Sequence, residues 1–276
     1  RHLTSDAILD QCSALKSSIT KSEFLTSEEK ESLIASLSTL SNKAKDAREA
    51  ENLAALESIW SDFSAALLKI QSEAEAIDRS RAISSYLEKV EKSSASLLES
   101  IKKLEYIAEE KSVEIYNNIT SLKNQATEAI PTLKSSQEIT DYFSNFLKLL
   151  DKISKDAETS ELNGYKLHLL SEFDKYEKIK ANYSTENYNK ILKFKTSVEE
   201  QFASASSKSA CDIIAKEAHN AILLINDLLD DEKESANNSL LETLNALKKL
   251  SPLYSAENFA KIEGLYDEGK IEINKI

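Results

Sequence analysis

The stretch Tyr183-Ser-Thr-Glu-Asn-Tyr-Asn-Lys-Ile191 returns as Tyr254-Ser-Ala-Glu-Asn-Phe-Ala-Lys-Ile262, identical at six of nine positions and offset by 71 residues. Two weaker copies are present. Ser112-Val-Glu-Ile-Tyr-Asn-Asn-Ile119 aligns with 184–191 at an offset of 72, and Thr26-Ser-Glu-Glu-Lys-Glu-Ser-Leu33 aligns with 255–262 at an offset of 229. Each copy carries a hydroxyl residue, an acid two positions later and an aliphatic residue seven positions after the hydroxyl. That pattern is a helix start. The hydroxyl accepts from an orphan backbone N–H, and the acid sits at the positive end of the helix. Four such starts, spaced 86, 72 and 71 residues apart, predict an internal repeat of helical modules.

Composition agrees. The 276 residues include only 3 Gly and 2 Pro, too few for the turns of an all-β or α/β fold. Aromatic residues make up 7% and charged residues 30%, as expected of exposed helices with thin apolar seams. The net charge of −12 argues against nucleic acid and anionic membranes as partners, because both call for basic patches. The longest unbroken apolar run, Ala221-Ile-Leu-Leu-Ile225, is far too short to span a bilayer, so no membrane insertion is expected. The two cysteines, Cys12 and Cys211, form neither a disulfide framework nor a zinc pattern. Both read as small buried helix residues, not bonded to one another. The chain starts at Arg1 and contains no Met, which predicts a processed chain or an excised segment that would no longer carry any targeting signal.

Apolar residues recur at three- and four-residue spacing along the whole chain. Ile8, Leu9, Cys12, Leu15 and Ile19 mark a first helix over 4–21, and Leu33, Leu37 and Leu40 a second over 27–43, opened by a capping box of Thr26 and Glu29. A third pattern runs over 46–110 through Leu53, Leu56, Ile59, Trp60, Phe63, Leu67 and Ile70, then on through Ile77 to Leu104. With no Gly or Pro inside it, one helix of about 90 Å is expected. Ser112 is read as the start of a short helix that Pro131 ends, and Ser135 with Glu138 as a second capping box. The helix that follows is expected to break at Asn163-Gly164. Ser184 opens the next short helix and the Ser-rich stretch 204–209 turns the chain. A second long helix then runs over 210–250 to Ser251-Pro252, and Ser255 opens the last.

These eight helices predict an all-α fold of tandem three-helix, spectrin-like bundles joined by long shared helices into an elongated rod. The expected modules are bundles over 1–78, 79–158 and 159–228, with an incomplete hairpin over 229–276. The missing last helix predicts that the chain was cut from a longer array. By the helical rise, the rod would measure on the order of 130–150 Å.

The pair Tyr183-Ser184 and Tyr254-Ser255, followed by Asn187-Tyr188 and Asn258-Phe259, resembles the second-helix opening of FIVAR-type three-helix modules. These occur as tandem repeats in cell-surface proteins of Gram-positive bacteria. The resemblance is good over 183–276 and weak over 1–110, where Leu25 replaces the Tyr. It implies a surface protein whose repeats act as spacers or ligand-binding modules, and it brings no catalytic residues.

Candidate chemistry is sparse. Of His2, His168 and His219, neither internal one completes the Glu-x-x-His of di-iron bundles, since Tyr165 and Lys216 hold the required positions. There is no His-Glu-x-x-His. The acidic run Asp227, Asp230, Asp231, Glu232 and Glu234 lacks the turning glycine of a calcium loop and reads as a solvated face. Trp60 and Phe63, at helical spacing with Leu56 and Leu67, read as core. Tyr183 and Tyr254 sit where a staple contact accounts for them. Asn118, Asn182 and Asn237 lie in Asn-x-Ser/Thr sequons. No catalytic, cofactor-binding or metal residue is assigned, and no cofactor is expected.

The reading is a non-enzymatic repeat region of an extracellular, cell-wall associated protein. It would serve as a stalk, spacer or adhesive binding module for a protein or glycan ligand and exist as a monomeric rod. The alternative is an intracellular spectrin-like scaffold that binds partner proteins through exposed helix faces. A signal peptide and wall anchor around this sequence would mark the first reading; actin-binding or signalling domains would mark the second.

Overall fold

The computed structural model describes residues 2–51 and 53–275, without the side chains of 2–4, 53, 55–57, 59, 63, 226–229, 251, 274 and 275. The expected seam positions Leu53, Leu56, Ile59, Phe63 and Leu229, the acid Asp227 and the side chain of His2 therefore lie outside the described residues. The fold is all-α: the chain is 89% helical, with no strand among the described residues. The helices are α1 His2–Lys21, α2 Ser27–Glu49, α3 Leu53–Ile101, α4 Glu109–Ala129, α5 Ser136–Ser171, α6 Asp174–Lys178, α7 Thr185–Ser204, α8 Lys208–Lys249 and α9 Ala256–Lys275. Short 3-10 turns lie at Ile130–Thr132, Lys180–Asn182 and Ser251–Leu253.

Several starts follow from the caps. Thr26 and Glu29 close a full capping box, Thr26 Oγ1 accepting from Glu29 N at 3.2 Å and Glu29 Oε2 from Thr26 N at 2.9 Å. Ser135, Ser184, Ser207 and Ser255 each accept from the amide three residues on, at 3.1–3.2 Å. Pro131 and Pro252 fall in the 3-10 turns that close α4 and α8.

Four expected boundaries are corrected. Residues 46–49 finish α2, and the chain turns at Ala50 and Glu51. Glu51 takes a left-handed φ of 51° without the help of glycine. The helix after it ends at Ile101, not Glu110, so Leu104 lies in a loop. Ser112 is no cap, because α4 already begins at Glu109. Aligning Ala108 with Thr26 instead places Ile115, Ile119 and Ala126 over Leu33, Leu37 and Ala44, and all six are buried. Finally, α5 passes unbroken through Asn163-Gly164. A Cβ built on Gly164 would overlap the carbonyl oxygen of Tyr106, so this glycine serves close packing and not a turn.

The chain divides into two compact units. The first comprises residues 1–103 and 110–157. There α1, α2 and the Leu67–Ala74 part of α3 enclose one core that includes Ile8, Cys12, Ile19, Leu33 and Leu37. Further along α3, Tyr86 meets Phe143 of α5 with ring centroids 5.0 Å apart. Glu91 of α3 pairs with Lys123 of α4 at 2.6 Å, and Lys111 of α4 pairs with Asp156 of α5 at 2.9 Å. The 49-residue α3 therefore meets α1 and α2 along one half and α4 and α5 along the other.

The second unit comprises 104–109 and 158–276. Its core joins Leu169 and Phe173, Tyr176 of α6, Tyr183, α7 through Tyr188, Ile191, Val198 and Phe202, and the first half of α8 through Cys211, Ala215, Ala218, Ile222 and Ile225. Tyr183 and Tyr188 share this core, the placement that a hydrophobic staple requires. Along its second half α8 faces α9, with Leu240, Leu244 and Leu247 on one side and Ile262, Leu265 and Tyr266 on the other.

Candidate functional site

Polar chemistry gathers where a neighbouring helix holds an inter-helix loop. In the first unit, the hydroxyl of Ser22 donates to Asp78 of α3 and accepts from the amides of Phe24 and Leu25 at 3.3 Å each. Arg81 of α3 donates to the Phe24 carbonyl at 3.0 Å and makes a two-pronged pair with Glu29. The Arg81 guanidinium, followed by the Thr26 amide, holds the Glu29 carboxyl down to about 2. Arg79 grips the next loop by the carbonyls of Leu133 at 2.6 Å and Pro131 at 2.7 Å.

In the second unit the sign of the clamp reverses. Glu161 on α5, only 5% exposed, accepts from the amides of Tyr106 at 2.8 Å and Glu105 at 3.3 Å. Lys208 at the start of α8 completes it at 2.6 Å and lies over the rings of Tyr106 and Tyr165. Burial opposes ionisation of Glu161, but Lys208 and the two amides together outweigh it and hold the carboxyl below its ordinary value. The Tyr165 hydroxyl donates to Asp212. That bond first, and burial second, push the phenol up to about 12. Glu161, locked by three donors, holds the loop at Glu105 and Tyr106, and Tyr165, locked as a donor, ties α5 to α8; neither is poised for proton transfer.

His219 on α8 stacks on Phe173 at 4.4 Å, and its Nδ1 lies 2.7 Å from the Tyr176 hydroxyl. Its Nε2 is buried 3.8 Å from Glu172. Burial, then Lys175, lower its pKa against the pull of Glu172. His168 is a surface residue 5.0 Å from the Tyr106 ring. The two internal histidines therefore lie in separate loop contacts. Asp230, Asp231, Glu232 and Glu234 are exposed on α8, as a solvated face requires. Trp60 stays 36% exposed, so the expectation that it belongs to the core is corrected, while Leu67, Ile70 and Ala74 further along α3 are buried. Cys12 and Cys211 are free and buried, and burial raises both thiols. Asn118 is exposed on α4, Asn182 is exposed in a 3-10 turn, and Asn237 is half-buried on α8. Among the described residues no cluster of His, Cys, Asp and Glu has the arrangement of a metal site, and no helix is long and apolar enough to cross a membrane.

An open, mainly apolar groove lies between α8 and α9. It encloses about 400 Å³ and is lined by Leu240, Leu244, Leu247, Ile262, Leu265 and Tyr266, with Ser239 and Thr243 at its rim. Leu241, Leu250, Leu253 and Ile271 add exposed apolar surface on the same hairpin. Helix starts alone do not reveal this groove, although the sequence holds its signal. Carrying the 71-residue offset backward aligns Leu169, Phe173 and Tyr176 with Leu240, Leu244 and Leu247 without a gap.

No family model matches the chain, and no curated protein or solved structure is significantly similar to it.

Proposed function

We propose that this chain is a non-enzymatic repeat region of an extracellular, cell-surface protein. It acts as a stalk or spacer with adhesive binding capacity for a protein or glycan along its flank. The observation that carries this reading is the sharing of helices. The 42-residue α8 supplies its first half to the core around Ile191 and its second half to the hairpin with α9. A helix shared in this way couples successive modules without a flexible linker, the property a spacer needs. The finer architecture belongs to the same proposal: spectrin-like modules over 1–78, 79–158, 159–228 and 229–276, in line as a monomeric rod. Small-angle scattering tests it. The expected radius of gyration lies well above the value of about 19 Å for a compact body of this length. A value near that figure would remove the support for a spacer.

A second reading, an intracellular spectrin-like scaffold, is favoured by the open α8–α9 groove, which suits capture of a partner helix. Protease treatment of intact source cells separates the two. Loss of the protein places it on the surface; protection places it inside.

A further inference from the structure

The 71-residue register links two hairpins that differ in one respect. In the earlier one, Leu169, Phe173, Tyr176, Tyr183, Tyr188 and Ile191 are buried, because the 211–225 face of α8 lies against them. In the later one, the aligned Leu240, Leu247, Phe259 and Ile262 are only partly buried. Tyr254 is 39% exposed against 7% for Tyr183, and Leu265, aligned with the part-buried Phe194, is 66% exposed. Each aligned position carries a large apolar or aromatic side chain in both hairpins while the cover differs, so the earlier hairpin specifies what the later one lacks.

We propose that the α8–α9 groove docks one amphipathic helix of the type that α8 itself provides at 211–225. That helix presents small side chains at its buried positions, as Cys211, Ala215 and Ala218 do, followed by two isoleucines, as at Ile222 and Ile225. The small residues let the backbone approach the hairpin closely, and the isoleucines add apolar contact beyond them. The inference rests on the repeat register and not on where the protein works in the cell.

The test uses the full chain and a fluorescent peptide of residues 207–225, kept reduced and followed by anisotropy. Saturable binding is expected. Leu265→Asp, a change at a solvent-facing position that leaves the helical circular dichroism unchanged, should weaken binding by at least about tenfold. A peptide carrying Ala215→Glu and Ala218→Glu should bind at least about tenfold more weakly as well. Absence of binding to the folded chain overturns the proposal. So does binding that Leu265→Asp leaves intact, since the peptide would then be displacing its own counterpart in the earlier hairpin. A chain that sediments as a stable dimer and excludes the peptide overturns it too, because the groove would then hold a second copy.

Discussion

Gly164 and Gly264 both sit inside helices, yet the surroundings give them opposite meanings. At Gly164 an added methyl would collide with the backbone of Tyr106, which cannot swing aside as a side-chain tip could. At Gly264 an added methyl meets nothing within 4 Å. Gly164→Ala should therefore destabilise the protein by about 1–3 kcal/mol, the usual cost of overpacking. Gly264→Ala should stabilise α9 by about 0.5–1 kcal/mol, because a helical glycine loses more backbone entropy than alanine. Urea unfolding of both variants checks the opposite signs; the same sign for both would refute this account of Gly164. Glu29 gives a pH prediction. Its folded pKa of about 2 lies below the ordinary 4.5, through the Arg81 bond first and the Thr26 amide second. A carboxyl depressed in the folded state adds stability above its unfolded value and loses that contribution as pH falls through the folded value. The contribution should therefore be complete above about pH 4.5 and fade between there and about 2. Glu29→Gln should flatten that part of the acid-unfolding curve, and an unchanged curve would show that Arg81 does not hold the carboxylate.

At the scale of elements, helix starts and ends were legible in the sequence where the signal is local, as at the ends marked by Pro131 and Pro252, and the end of α3 was not. Thr26, Ser135, Ser184 and Ser255 cap because a side chain reaches an amide three residues away, a distance fixed by the chain itself. The end of α3 is decided elsewhere. Leu104 to Ala108 contain no breaker, and what draws this stretch out of the helix is Glu161, more than fifty residues later, binding two of its amides. Gly164 misled for the same reason: its role is set by Tyr106, which spacing along the sequence does not bring into view. Ser112 misled because serine is common in this chain and the true copy has Ala108 at the cap position. The Glu161 clamp can be tested directly. Glu161→Ala leaves the Glu105 and Tyr106 amides and the Lys208 ammonium without that partner, and it should cost about 1–3 kcal/mol. Hydrogen exchange should quicken at Glu105 and Tyr106 while α7 keeps its protection. A uniform loss across the second unit would mean that Glu161 supports the core and not the loop.

For the molecule as a whole, the repeat makes stability comparable between parts of one chain. Residues 183–191 and 254–262 share six of nine side chains, so their unfolded amides exchange at closely similar intrinsic rates. Any difference in the native protein therefore reports packing. The earlier copy lies under α8 and within a core of thirteen buried residues. The later copy borders an open groove, where Leu244 is buried and Leu240 and Leu247 are only partly so. Local opening follows buried apolar contact, so α9 should open at a lower free energy than α7. Burying one further leucine or isoleucine is worth about 1.5–3 kcal/mol. Since Tyr254, Phe259, Ile262 and Leu265 all lack the cover of their counterparts, a gap of at least about 3 kcal/mol is expected, or more than a hundredfold in exchange rate. Hydrogen exchange with residue resolution measures both copies in one sample. Equal protection at Ile191 and Ile262 would mean that the α8–α9 hairpin needs no third helix, and the groove would then be a finished surface and not a docking site.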